Sequence, residues 1–131
     1  MGDLINRIRS AEDFACLQAA TNEQIFEAES KLKLKFADDY KEYLLTFGTA
    51  TFEARELTGI CSSERLNVVS VTEKAREYFA HFPENAYVIE EMLIDHVIII
   101  QHADGSIYSY DSSCFEKHLA DNLYEYLFRI E

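Results

Sequence analysis

Between Thr21 and Gly48 the apolar residues of this chain recur every three or four positions, the interval that aligns one face of a helix. Ile25, Ala28, Leu32 and Phe36 make the first stripe, and Tyr40, Tyr43, Leu44 and Phe47 make the second. Thr21 stands where an N-cap belongs, and Gln24, three residues on, gives capping-box spacing. Asp38 and Asp39 put carboxylates at the start of the second segment, where a helix N-terminus favours negative charge. Gly48 closes it, because glycine takes up the left-handed conformation in which helices commonly stop. The pattern predicts two helices joined by a short turn. None of these residues supplies chemistry; the pair reads as a docking surface.

The remaining segments are shorter. Residues 3–9 fit a helix capped by Asp3 with Leu4, Ile5 and Ile8 inward, and Ser10 is placed to cap a second short turn through Leu17. After Gly48, β-favouring pieces are expected at 49–53, at 57–60 with a bulge at Gly59, and at 66–69. Ser70 and Glu73 repeat the capping-box spacing, and Ala75, Phe79 and Phe82 predict a helix that runs to Pro83. Three strands follow. Residues 86–90 are apolar and edged by acids, Val97 to Ile100 form a continuous β-branched run suited to a central strand, and 106–110 alternate. Asp104-Gly105 suits a type I′ turn between the last two. Ser113 and Glu116 are placed to cap a final helix with Phe115, Leu119, Leu123, Tyr126, Leu127 and Ile130 on its apolar face.

Strands joined by a tight hairpin are antiparallel, so the expected class is α+β. A small antiparallel sheet carries the N-terminal helix pair and the C-terminal helix. No repeat, low-complexity stretch or linker divides the 131 residues. A single domain spanning 1–131 is expected, of a size that buries its own core.

Charge narrows the partners. The chain has 24 acidic against 12 basic residues, a formal net charge of −12. After Pro83 ten acids face only Lys117 and Arg129. Such a surface repels a phosphate backbone, which argues against direct nucleic-acid binding, and favours solubility or a basic partner. No apolar run reaches the length of a membrane span. Acidic residues occupy the N-terminal stretch where a signal peptide needs an apolar core, so a cytoplasmic location is expected. Cys16, Cys61 and Cys114 lack the paired spacing of a zinc or redox motif and fit buried free thiols in a reducing compartment.

Catalytic chemistry is poorly provided for. A nucleophile-and-base site needs a hydroxyl or thiol, a histidine and an orienting acid that converge in space. His96 and His102 share strand parity but stand roughly 20 Å apart along an extended chain, too far to ligate one ion. His102 with Asp104 across the turn is the best metal candidate, and two ligands fall short of the three or four a site needs. The chain has no glycine-rich phosphate loop, no His-Glu-x-x-His and no Gly-x-Ser-x-Gly. No catalytic residue, cofactor or metal is expected, and the chain does not read as an enzyme.

One stretch is more specific than a fold class. Thr21, Ile25, Ala28 and Glu29, then Leu32 and Leu34, then Asp39-Tyr40-Lys41 with Tyr43-Leu44, then Phe47-Gly48, resemble the opening of the SUKH superfamily. That group includes the fungal Smi/Knr cell-wall regulators and many bacterial immunity proteins. The sequence departs from the family at Phe36-Ala37, where Leu-Pro is usual, and at Phe47-Gly48-Thr49, where an Asn-Gly with further glycines is usual. Leu57 to Ile60, the isoleucine run, Asp104-Gly105 leading to Tyr108, and the segment after Ser113 are similar to the family's later features.

The resemblance implies the same α+β arrangement and a function in protein binding. Bacterial members are typically encoded beside polymorphic toxins, commonly nucleases, and a nuclease presents a basic groove that an acidic protein can occupy. The expected function is therefore that of an immunity protein that neutralises a cognate toxin. The alternative is a regulatory or scaffold module of the Smi/Knr type. Glu90, Glu91, Asp95, Asp104 and Asp111, around the isoleucine strand and its hairpin, are the acids expected to meet the partner. Tyr108 and Tyr110 are candidate aromatic anchors among them, although strand alternation equally allows a tyrosine on a buried face of the sheet.

Overall fold

The structure, a computed structural model, describes residues 2–79, 81–91, 97–111 and 116–128. Helix α1 (Gly2–Arg9) buries Leu4 and Ile8, and is followed by a two-residue strand, β1 (Ala15–Cys16). Helix α2 (Asn22–Leu32) starts as its capping residues dictate. The Thr21 hydroxyl accepts from the Gln24 amide at 3.1 Å, and the Gln24 side chain accepts from the Thr21 amide at 2.9 Å. Helix α3 (Asp38–Phe47) ends at Gly48 with φ of 69°. Every residue of the two predicted stripes is buried, from Ile25 to Phe47. The pair is core, not a free docking surface.

Strands β2 (Ala50–Phe52) and β3 (Arg55–Glu56) join β1 in a three-stranded antiparallel sheet. Their turn places Glu53 and Ala54 at φ of 50° and 60°, left-handed values that a Cβ disfavours. Asp13 holds it: one carboxylate oxygen accepts from the Glu53 amide at 2.6 Å and the other from the Ala54 amide at 2.9 Å. The chain then passes through Gly59, where a side chain is impossible. A Cβ there would stand 1.9 Å from the Gly48 carbonyl oxygen.

Helix α4 (Val68–Tyr78) leads to a second antiparallel sheet in the order β4 (Ala86–Glu91), β5 (Ile98–His102), β6 (Ile107–Tyr110), β7 (Glu116–Ala120). Helix α5 (Leu123–Phe128) closes the described chain. Helices and antiparallel sheets together make the class α+β, as the apolar pattern predicted. The isoleucine run is an interior strand with both faces covered. Ile99, with Tyr87, Ile89 and Ile107, faces the core shared with α1, α2, α3 and α5. There Phe36, Tyr40 and Tyr87 meet at ring centroids 4.8–5.2 Å apart. Ile98 and Ile100, with Ala86, Val88 and Tyr110, face Val71 and Ala75 of α4 and Phe79 just beyond it.

A polar thread crosses the first core. Gln101 of β5 is fully buried, and its amide nitrogen donates to Asp39 Oδ1 and to the Gly105 carbonyl, each at 3.0 Å. Its oxygen accepts from the Tyr87 hydroxyl at 2.7 Å, and that hydroxyl accepts from the Ala37 amide at 2.9 Å. The other Asp39 oxygen takes the Leu123 amide at 2.8 Å, so this carboxylate fastens α5 to α3 instead of serving only its own helix end.

Several local expectations are corrected. Residues 10–17 contain β1 instead of a helical turn. Residues 66–69 lead into α4: Asn67 is the cap, three residues before Ser70, its side chain accepting from the Val69 and Ser70 amides, and the helix ends at Tyr78, short of Pro83. Of residues 57–60 only Gly59 forms a bridge, parallel to Asn67. At the hairpin Gly105 has φ of 99° while Asp104 keeps a negative φ, so the turn is not type I′. Residues 116–120 are a strand, not a helix; β7 pairs with β6, and the final helix starts only at Leu123. Ser113, Phe115 and Ile130, assigned to that helix, lie outside the described residues.

Candidate protein-interaction surface

The seven sequence-selected positions do not share one surface. Glu90 lies in the core, where its carboxylate accepts from the Tyr126 hydroxyl. Burial raises the Tyr126 phenol above its ordinary range and the Glu90 charge adds to the rise, while the Arg55 guanidinium lies 5.2 Å from the same ring. Tyr110 is buried on the opposite sheet face, 5.1 Å from the Phe79 ring and 5.8 Å from Phe82. Glu91 is exposed and lines a cleft with Val71, Tyr78 and Ile98. Asp95 lies outside the described residues. Asp104 lies at the turn of the β5–β6 hairpin, Tyr108 within β6, and Asp111 just past the far end of β6.

Asp104 sits exposed at the hairpin turn. Its Oδ1 accepts from the Ser106 hydroxyl at 2.6 Å and the Ser106 amide at 3.0 Å, bonds that hold its carboxyl below the usual range. Tyr108, half-buried, is flanked by two histidine rings. His102 of β5 stands 5.1 Å from it and His118 of β7 stands 5.4 Å from it, both at steep interplanar angles. The strand register makes this row: Tyr108 pairs with His118, and Ile100 pairs with Tyr108.

Carboxylates anchor both histidines. His102 Nε2 lies 2.7 Å from Glu116 Oε1, and His118 Nε2 lies 3.0 Å from Asp121 Oδ1. The Asp121 amide in turn donates to Glu125 at 3.2 Å. Asp104, Glu116, Asp121 and Glu125 accompany the row, and Lys117 is the one lysine or arginine among the described residues from 102 to 125. The result is three aromatic rings across three strands with a carboxylate rim. Surface of this kind suits protein contact, in which an aromatic centre is ringed by polar groups.

His118, Glu116 and Asp121 were not selected from sequence, because residues 116–120 fit a helical period and their neighbours on β6 depend on a strand pairing. One sign was legible. Asn122 and Glu125 have N-cap spacing, and the Asn122 side chain does accept from the Glu125 amide at 2.8 Å, marking α5 as a separate, later helix. Among the described residues no three of histidine, cysteine, aspartate and glutamate gather as a metal set. No described helix is long and apolar enough to cross a membrane.

Helices packed on two small antiparallel sheets make this an α+β domain. The chain belongs to the SUKH_5 family, SMI1-KNR4 cell-wall, whose model matches residues 1–130. The fold is similar to the crystal structure of a protein from Pseudomonas syringae pv. tomato, with a TM-score of 0.75 over 92% of this chain and 91% of that chain. The two are 17% identical, so the likeness is one of fold. No curated protein matches the chain.

Proposed function

We propose that this chain is a non-catalytic immunity protein that binds a cognate polymorphic toxin in the cytoplasm and neutralises it by protein–protein contact. Family membership across residues 1–130 carries the reading, because the family includes immunity proteins. The net charge of −12 supports a basic partner, and a nuclease, which must present positive surface to phosphate, is the toxin class that such charge meets best. The experiment is co-expression with the product of the adjacent gene. Immunity requires that this chain restore growth of cells making that product and co-purify with it. Unrescued growth together with no complex sinks the reading for that pair.

The family's description as SMI1-KNR4 cell-wall favours a second reading, a regulatory or scaffold module that binds other proteins without inhibiting a toxin. A neighbour that is harmless when expressed alone but still co-purifies moves this reading ahead of the first.

A further inference from the structure

The geometry points to the sheet face bearing His102, Tyr108 and His118 as the docking surface for a cationic, arginine-rich protein segment. The inference rests on the reading that the chain works by protein contact. A sheet normally buries its apolar faces, and α4 does this for Val88, Ile98, Ile100 and Tyr110. Beyond Tyr110 the same face continues into the row of three rings, where Tyr108 is half-buried and His118 is 50% exposed.

Charge decides the occupant. A second copy would set Asp104, Glu116 and Asp121 against their own kind, and a phosphate backbone would be repelled likewise. A basic surface meets the carboxylates of Asp104, Glu116 and Asp121 beside the rings, with Glu125 next to Asp121. These carboxylates are also preorganised. Glu116 is held through Oε1 by His102, Asp121 through Oδ1 by His118, and Asp104 through Oδ1 by Ser106. Each has its second oxygen to accept from a guanidinium, which binds carboxylates in a fixed fork and stacks on aromatic rings. Side chains already fixed lose less freedom on binding.

The test maps amide shifts of the full chain in nitrogen–proton spectra during titration with hexa-arginine, with hexa-glutamate as control. The expected result is saturable shifts confined to amides of 102–111 and 116–121. Tyr108→Ala should weaken binding about tenfold. The near-isosteric triple variant Asp104→Asn, Glu116→Gln, Asp121→Asn should do so at least as strongly and flatten the salt dependence. Glu23→Gln with Glu27→Gln on the outer face of α2 should change nothing. Should Tyr108→Ala unfold, the triple variant carries the test alone, its fold checked by the dispersion of the same spectra. Shifts spread over α2 and α4, or a folded triple variant that binds as tightly as the parent, overturn the assignment. Peptide mapping needs no toxin and growth rescue needs no particular face, so either proposal can fail while the other stands.

Discussion

Replacing Gln101 by leucine tests whether the buried polar thread, and not apolar packing alone, holds the helices to the sheet. Leucine nearly matches glutamine in volume, so no large cavity opens. Three bonds go: those to Asp39, to the Gly105 carbonyl and from Tyr87. Each buried group left without a partner costs about 1–3 kcal/mol, and burying the leucine side chain returns about 1.5 kcal/mol. The Tyr87 hydroxyl proton and the Gly105 carbonyl are the two deeply buried groups that lose their Gln101 partner, so the net loss should be about 3 kcal/mol. With a urea slope of about 2 kcal/mol/M, the unfolding midpoint should fall by about 1.5 M at unchanged slope. Tyr87→Phe strips the same thread from its other end, so the double variant should lose about 1 kcal/mol less than the two singles added together. A Gln101→Leu loss under about 0.5 kcal/mol, or strict additivity of the pair, would refute the reasoning.

Three further perturbations follow from the structure. Because Glu53 and Ala54 occupy left-handed positions suited to Asn-Gly, Glu53→Asn with Ala54→Gly should stabilise the protein by about 1 kcal/mol and raise the calorimetric midpoint by a few degrees. Gly59→Ala puts a methyl group 1.9 Å from the Gly48 carbonyl, and soluble yield and cooperative unfolding should both collapse; a well-folded alanine variant contradicts that close approach. Burial raises the phenols of Tyr40, Tyr43, Tyr87 and Tyr126 above the ordinary value of 10.0. A folded-state value above the unfolded one keeps its stabilisation below about pH 10 and loses it as pH rises further, since the unfolded chain then ionises first. Absorbance titration at the phenolate band should therefore show these four ionising together with unfolding, after the exposed tyrosines. Smooth titration of all eight near pH 10 would contradict the burial.

The helix pair was legible because its information is local. A capping box, a three-to-four spacing and a terminal glycine are satisfied within one or two turns, whatever the rest of the chain does. The isoleucine strand was legible for a similar reason: four consecutive apolar β-branched residues suit a strand covered on both sides. The errors fell where two local patterns competed. Residues 66–69 are β-favouring, yet Asn67 can cap a helix, and burial of Val68, Val71 and Ala75 decided for α4. Residues 116–120 carry a passable helical period, yet pairing with β6 satisfies their backbone.

The candidate surface shows the same division more sharply. The sequence established an acidic second half, a family pattern between Thr21 and Gly48, and a hairpin at Asp104-Gly105. It could not tell that Glu90 turns into the core toward Tyr126, or that Tyr110 packs under Phe79 while Tyr108, two residues earlier, keeps an open flank between two histidines. Strand alternation places Tyr108 and Tyr110 on one face, but how far α4 extends over that face is a matter of helix position. Carboxylate and tyrosine positions acquire their roles only when the sheet register sets β7 beside β6, because backbone pairing between distant segments, not residue type, fixes which side chains meet.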